Sequence, residues 1–403
     1  MRKVWSEEKG LALRRQTRGG AAAGLEAVAD WAVRNQVRHA WPRWDANAGR
    51  FPYHVYLPTD DTFLSTSWNT ARTAQGLLSA YRVLGNAEYL TAAERALEYV
   101  KSLQVFSPEH GCAAGAFIEE TPLGDHVGAR DGMECAQALL AHHVATRNKT
   151  SLVRAGAFLD WLMKEHASDA WPEAFFYLAG GKRPPGGTDS TEFIYAAGAI
   201  PLVQYAGITG STKYVSRCAV PMVNFVLDRI QQPDGAFRLG SPVKNNHHAP
   251  APGDATIYND DGVGVALLCV WKATGKRKYL DAAVANGDWW LSHDPGQLPC
   301  NYAMLPCAAI FMADLARAVN EDRYVGFIEA VADRLFALQI LRDERSLVTG
   351  AFRGEDMAQT YRSGSDPGDY ISLRSTAYGL LALGKLAAGN SKQWGPSYSA
   401  YGF

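Results

Sequence analysis

Two kinds of helical pattern alternate along the chain. In 89–104, Leu90, Ala93, Leu97, Val100 and Leu103 recur at helical spacing, with Glu94, Glu98 and Lys101 opposite. That is a helix with one buried stripe. In 262–274, Lys272 is the only charge, and a helix without a polar face has to be covered on both sides. The pair recurs as a phrase: a nearly uncharged helix, a short turn often containing Gly, an anchor, then an amphipathic helix. The anchors Tyr89, Leu152, Tyr214 and Tyr279 are 63, 62 and 65 residues apart, and Tyr324 follows 45 later. Such internal repetition is the mark of stacked helical hairpins.

Counting the phrases predicts amphipathic helices near 21–37, 87–104, 150–165, 211–231, 277–292 and 322–340. Apolar ones are predicted near 68–84, 132–147, 190–208, 261–274, 301–319 and 371–388. Six outer and six inner helices make an all-α fold, an (α/α)6 toroid. No Pro/Ser-rich linker divides the repeats, so a single domain over 1–403 is expected.

A second phrase follows the outer helices. Gly115-Ala-Phe117, Gly235-Ala-Phe237 and Gly350-Ala-Phe352 come after Gln104, Gln232 and Gln339, and Gly49-Arg-Phe51 comes after Gln36. Glycine permits a sharp exit from a helix, and the aromatic can plug the core. The segments 105–131, 166–189, 232–260 and 341–370 are too long for plain connections, and loops of that size usually carry function. All precede inner helices, so they are expected on one rim, some as short β-hairpins, beside the positive ends of the helix dipoles.

Composition removes other classes. The 403 residues are 47% hydrophobic and 20% charged, with 40 basic against 41 acidic side chains. Disorder is excluded, and there is no basic footprint for nucleic acid. No apolar run approaches the roughly 20 residues of a membrane span. The N-terminus begins basic without an apolar stretch behind it, which does not read as a signal peptide. Six cysteines without CxxC spacing, with Cys135, Cys269 and Cys307 in apolar helical stretches, fit a reduced, cytoplasmic chain, or an exported one if a leader has been removed. Neither a metal site nor a cofactor is expected.

Polar groups collect at the predicted inner N-termini. They are Asp60, Asp61, Trp68 and Asn69; His126, Arg130, Asp131 and Glu134; Asp189, Glu192 and Tyr195; Tyr258, Asn259, Asp260 and Asp261; Asn301 and Tyr302; and Asp366, Asp369, Tyr370 and Arg374. Carboxylates, flat rings and a few cations around a concavity suit an oligosaccharide. Each has a bland alternative. Asp131, with Glu134 three residues later, reads equally as a helix cap. Asp260 and Asp261 read the same way, and at most one of two neighbours on a helix faces inward. His247 and His248 lie in a Pro/Asn/His loop and suggest proton transfer or a metal, but lack partners at ligand spacing. Trp68 is a stacking platform or a packing residue. Phosphate loop, GxSxG, HExxH and DxDD motifs are absent.

Three segments resemble the unsaturated glucuronyl hydrolases and the related unsaturated rhamnogalacturonyl hydrolases. Arg130-Asp-Gly-Met-Glu-Cys-Ala-Gln-Ala-Leu-Leu140 resembles that family's Asp-led second inner helix. Asp60-Asp-Thr-Phe63 is similar to its His-Asp-x-x-Phe stretch without the histidine, and Ser375-Thr-Ala-Tyr-Gly-Leu-Leu381 to its closing helix without the preceding Asp. The resemblance implies hydration of the C4–C5 double bond of an unsaturated uronyl residue. It implies Asp131 as acid/base, Asp60 or Asp61 as its neighbour, and Arg130, Arg374 or His126 on the substrate carboxylate. The runner-up is a lyase or uronate epimerase using Tyr258, Asn259 and His247 or His248, or Tyr302 with Asn301. An ordinary glycosidase on saturated sugars and a non-catalytic glycan-binding toroid complete the set.

Overall fold

The computed structural model describes residues 13–38, 46–107, 113–119, 124, 126–166, 175–177, 181–182, 191–238, 256–257, 262–295, 304–354 and 369–388. Among them are twelve helices: α1 (Arg15–Asn35), α2 (Ser67–Leu84), α3 (Ala87–Ser102), α4 (Ala129–Thr146), α5 (Lys149–His166), α6 (Thr191–Thr209), α7 (215–230), α8 (Val263–Thr274), α9 (Arg277–Leu291), α10 (Met304–Val319), α11 (322–338) and α12 (Leu373–Ala388). Their bounds fall within a few residues of those the periodicity predicts, with two larger departures. α1 begins at Arg15, and α7 is wound as π-helical turns at Val215–Ala219 and Val226–Ile230 around a short α segment.

Short strands precede the apolar helices, as expected for the long connections. β1 (Pro52–Tyr56) and β2 (Asp61–Leu64) lead into α2, and β8 (Tyr370–Ser372) runs directly into α12; the three form one antiparallel sheet in the order β2-β1-β8. β3 (His126–Gly128) leads into α4 and pairs with β4 (Phe175–Tyr177), which pairs with β5 (Gly181–Lys182) ahead of α6. β6 (Phe237–Arg238) and β7 (Thr256–Ile257) form a two-stranded ladder ahead of α8.

The chain divides into two compact units, one over 100–292 and the other over 8–99 with 293–401. In the first, α6 packs between α4 and α8, with α5 and α9 outside their partners α4 and α8. In the second, α12 packs against α1, α2 and α10. α2 and α12 run parallel and in step. Arg374 sits over Trp68, Arg72 over Tyr378, Leu380 against Gly76 and Ser79 against Gly384. Every residue of α2 from Ser67 to Ala80 is buried, as its near-uncharged sequence requires. The one lysine deep in α12, Lys385, is wholly buried and donates to Asp314 of α10, since a buried cation is tolerable only when paired.

Both repeated phrases have structural work. The tyrosine anchors reach back to the preceding amphipathic helix: Tyr89 donates to Asp30, Tyr214 to Asp160 and Tyr279 to Asn224, at 2.8, 2.7 and 3.0 Å. Burial, reinforced by these acids, pushes the Tyr89 and Tyr214 hydroxyls far above the ordinary range. The glutamines act as fasteners. Gln36 Nε2 donates to Gly49 O and Ala92 O, Gln104 to Gly115 O and Arg154 O, Gln231 to Gly235 O and Ala282 O, and Gln339 to Gly350 O and Gly24 O. The third fastener is Gln231, not the neighbouring Gln232 that the sequence phrase suggests. The glycine of each phrase has φ between +90° and +106°. Around Gly115 an added Cβ would lie 2.6 Å from Ala157 O, so no other residue fits there.

Candidate functional site

Polar side chains gather at helix N-termini in each unit. In the 100–292 unit the group is Arg130, Asp131 and Glu134 on α4. Asp131 and Glu134 are buried, at 7% and 3% exposure. Arg130 donates to Glu134 Oε1 at 3.1 Å and lies 3.5 Å from Asp131 Oδ1. The helix starts at Ala129 with Gly128 as its N-cap. Asp131 is therefore the third helical residue, and the expectation that it caps the helix is corrected. The paired strands β3 and β4 deliver the chain into the helix three residues earlier than the sequence suggests. Gly128 is bare for a reason: a Cβ there would meet the Asp131 carboxylate at 2.7 Å. What results is a carboxylate packed on backbone, beside the helix's positive end and a guanidinium. His126 lies on β3 opposite Tyr177.

In the other unit, the sheet β2-β1-β8 and the first turns of α2 and α12 form an aromatic and cationic group. The Tyr53 ring is 4.2 Å from His54, 5.2 Å from Phe63 and 6.2 Å from Trp68. Arg374 lies 5.6 Å above the Trp68 ring. Arg72 is stacked 5.0 Å over Tyr378 and donates to Gln75 at 2.8 Å. Tyr370 is buried, 5.0 Å from Tyr56. His54, Trp68, Asn69, Arg72 and Arg374 are all buried. Stacked guanidiniums and an indole face are groups that hold anionic and CH-rich faces.

Asp60 and Asp61 are placed otherwise. Both are exposed: Asp60, in the β1–β2 turn, accepts from Arg345 at 2.9 Å, and Asp61, the first residue of β2, accepts from the Thr59 hydroxyl at 2.6 Å. Glu192 lies in the first turn of α6. Asp189, His247, His248, Tyr258, Asn259, Asp260, Asp261 and Tyr302 lie outside the described residues.

Sequence reasoning missed Tyr53, His54 and Arg72. The signal for the first two was a five-residue run, Pro52–Tyr56, between the Gly49 exit and the Asp60 turn. For Arg72 it was the single charge in the buried stretch from Ser67 to Ala80. Among the described residues no three His, Cys, Asp or Glu side chains are grouped to hold a metal ion, and no helix is long and apolar enough to cross a membrane.

No family model matches the chain, and no curated protein matches it in sequence. Solved structures do match it in fold. A sugar epimerase from a ruminal bacterium superposes with a TM-score of 0.68 at 13% identity, over 92% of this chain and 98% of that one. The unsaturated glucuronyl hydrolase of Bacillus sp. GL1, responsible for the degradation of glycosaminoglycan, gives 0.66 at 15% identity over 93% and 98%. An inactive variant of the α-1,6-mannanase GH76A of Salegentibacter sp. HEL1_6, in complex with α-1,6-mannotetrose, gives 0.61 at 11% identity over 91% and 98%. The fold of this chain is the all-α (α/α)6 toroid that these glycan enzymes have in common.

Proposed function

We propose that the chain is a glycan-processing enzyme, a glycoside hydrolase acting on uronic-acid-containing oligosaccharides, unsaturated uronyl residues among them. Asp131 serves as its acid/base. The observation that carries this reading is the buried carboxylate pair of α4 gathered around Arg130. Burial and a neighbouring carboxylate favour the protonated form of a carboxyl group, while a guanidinium and a helix N-terminus favour the charged form. A group under both influences can take and return a proton within one turnover.

The reaction suited to it proceeds in two stages. The carboxyl group delivers a proton to C4 of the unsaturated ring while water, losing a proton to the same group, adds at C5. The hemiketal then opens and the glycosidic bond is released. The uronyl carboxylate needs a cation, and Arg130 lies 3.5 Å from Asp131.

Replacing Asp131 by Asn should lower kcat on an unsaturated glucuronyl disaccharide by about 10²–10⁴-fold, with the far-ultraviolet circular dichroism unchanged. The readout is loss of the enol-ether absorbance. A variant that turns over like the wild type removes Asp131 from the chemistry.

A second reading, a sugar epimerase, is favoured by the buried His54 against Tyr53 on β1. An imidazole can exchange a proton with a sugar carbon, and two epimerases are among the similar folds.

A further inference from the structure

The start of α2 breaks a rule that the rest of the helix keeps. Thr66 stands at the N-cap, yet its hydroxyl makes no capping bond. Thr66 Oγ1, Ser67 Oγ and both polar atoms of the Asn69 amide are buried without a hydrogen-bond partner, and so is Ser375 Oγ of α12. Ser67, Asn69 and Ser375 are 0%, 1% and 4% exposed. Nearly all buried polar groups in folded proteins find partners, and each that does not weakens the fold.

The anomaly is one-sided. Thr70, on the same turn, pairs with Ser65 Oγ at 2.6 Å, Ser65 also accepts from the Phe51 N–H, and Thr73 donates to Asn69 O. Because α2 and α12 run in step, with Arg374 over Trp68, Ser375 lies at the level of Asn69. The orphaned atoms therefore lie at one level, in the first turns of two adjoining helices.

We propose that this cluster is a saccharide subsite: the Asn69 amide takes a vicinal diol, and Thr66, Ser67 and Ser375 take the neighbouring hydroxyls. The inference rests on the glycan reading given above and adds the ligand chemistry. An amide has a donor and an acceptor side by side, and a diol answers both. An anion such as phosphate would satisfy the Nδ2 donor and the hydroxyls but leave Oδ1 facing negative charge.

The test uses the full chain and three probes: an unsaturated glucuronyl disaccharide, cellobiose and α-1,6-mannobiose. In a structural role, Asn69→Ala would lower the melting temperature. In a ligand role it removes two orphaned atoms, so the unliganded variant melts at or above the wild-type temperature and binds the cognate probe at least ~10-fold more weakly by calorimetry. Ser375→Ala should show the same pattern with a smaller loss of affinity. An unchanged Kd overturns the proposal, and so does a fall in melting temperature of more than about 3 °C in Asn69→Ala. If the wild type binds none of the three probes, the glycan reading falls and the subsite with it. If the wild type binds and turns over a probe that Asn69→Ala binds equally well, only the subsite falls.

Discussion

Arg345 is a single side chain with an outsized share of one turn. Its Nε and Nη2 donate to the two oxygens of Asp343 at 3.0 Å, and its Nη1 reaches Leu57 O at 2.8 Å and Asp60 at 2.9 Å. It thereby links the 343–349 turn to the β1–β2 hairpin, whose strands hold His54 and Phe63. Asp60 tolerates φ of +56° because a short polar side chain is among the few that visit the left-handed region. Arg345 also holds the Asp343 carboxyl at about 2, below its ordinary 3.8. The depressed value means the pair stabilises the fold above pH 3.8, and that contribution is lost as pH falls through about 2. In Arg345→Gln, nuclear magnetic resonance titration should find Asp343 raised from about 2 toward 3.8, the 345 N–H bond to its carboxylate remaining, and the acid limb of stability should flatten between those values. The pair is exposed, so the effect at neutral pH is small. An Asp343 that still titrates near 2 in the variant would assign the shift to another group.

Between elements, the fasteners explain how amphipathic helices of modest length are held. Each glutamine bridges a loop glycine carbonyl and a carbonyl of another helix, at a point where the chain leaves its own helix through a glycine of positive φ. Removing Gln339 leaves Gly24 O and Gly350 O without that buried donor. Gln339→Ala should therefore cost about 2–4 kcal/mol in urea denaturation. Gly350→Ala, with φ of +106° and its Cβ driven into Ala27 O and Trp31, should cost more than about 2 kcal/mol. Changes below ~0.5 kcal/mol, the ordinary surface range, would show that these residues are bystanders.

The same elements show what a sequence can disclose. The apolar helices and tyrosine anchors were legible because their information is local: 3.6-residue periodicity and a repeated phrase. The true start of α4 and the buried His54 were not. The first depends on β3 pairing with β4 almost fifty residues on, and the second on β1 pairing with β8 more than three hundred residues away. Trp68, Asn69 and Arg374 were legible as polar or aromatic punctuation at the start of apolar helices. Nothing local marked Ser67 or Ser375, which look like ordinary helix-start serines until their partners are sought.

At the scale of the molecule, one fold carries more than one chemistry. Hydrolases and epimerases align over more than nine-tenths of the chain at 11–15% identity. The scaffold therefore does not choose the reaction, and side chains at the helix starts must. The two leading readings differ in where a proton from solvent ends up, so the whole protein can be made to report its chemistry in heavy water. Hydration of an unsaturated uronyl residue places one solvent deuteron on C4, abolishes the enol-ether absorbance and separates the two sugars. Epimerisation through His54 would place one deuteron on a carbon of an intact disaccharide, with no cleavage. We expect the unsaturated glucuronyl disaccharide to be cleaved with carbon-bound deuterium, and cellobiose to remain whole and unlabelled. Asp131→Asn should abolish the labelling while His54→Gln retains it. Carbon-bound deuterium in uncleaved cellobiose, lost in His54→Gln and kept in Asp131→Asn, would move the chemistry from the carboxylates of α4 to the imidazole of β1.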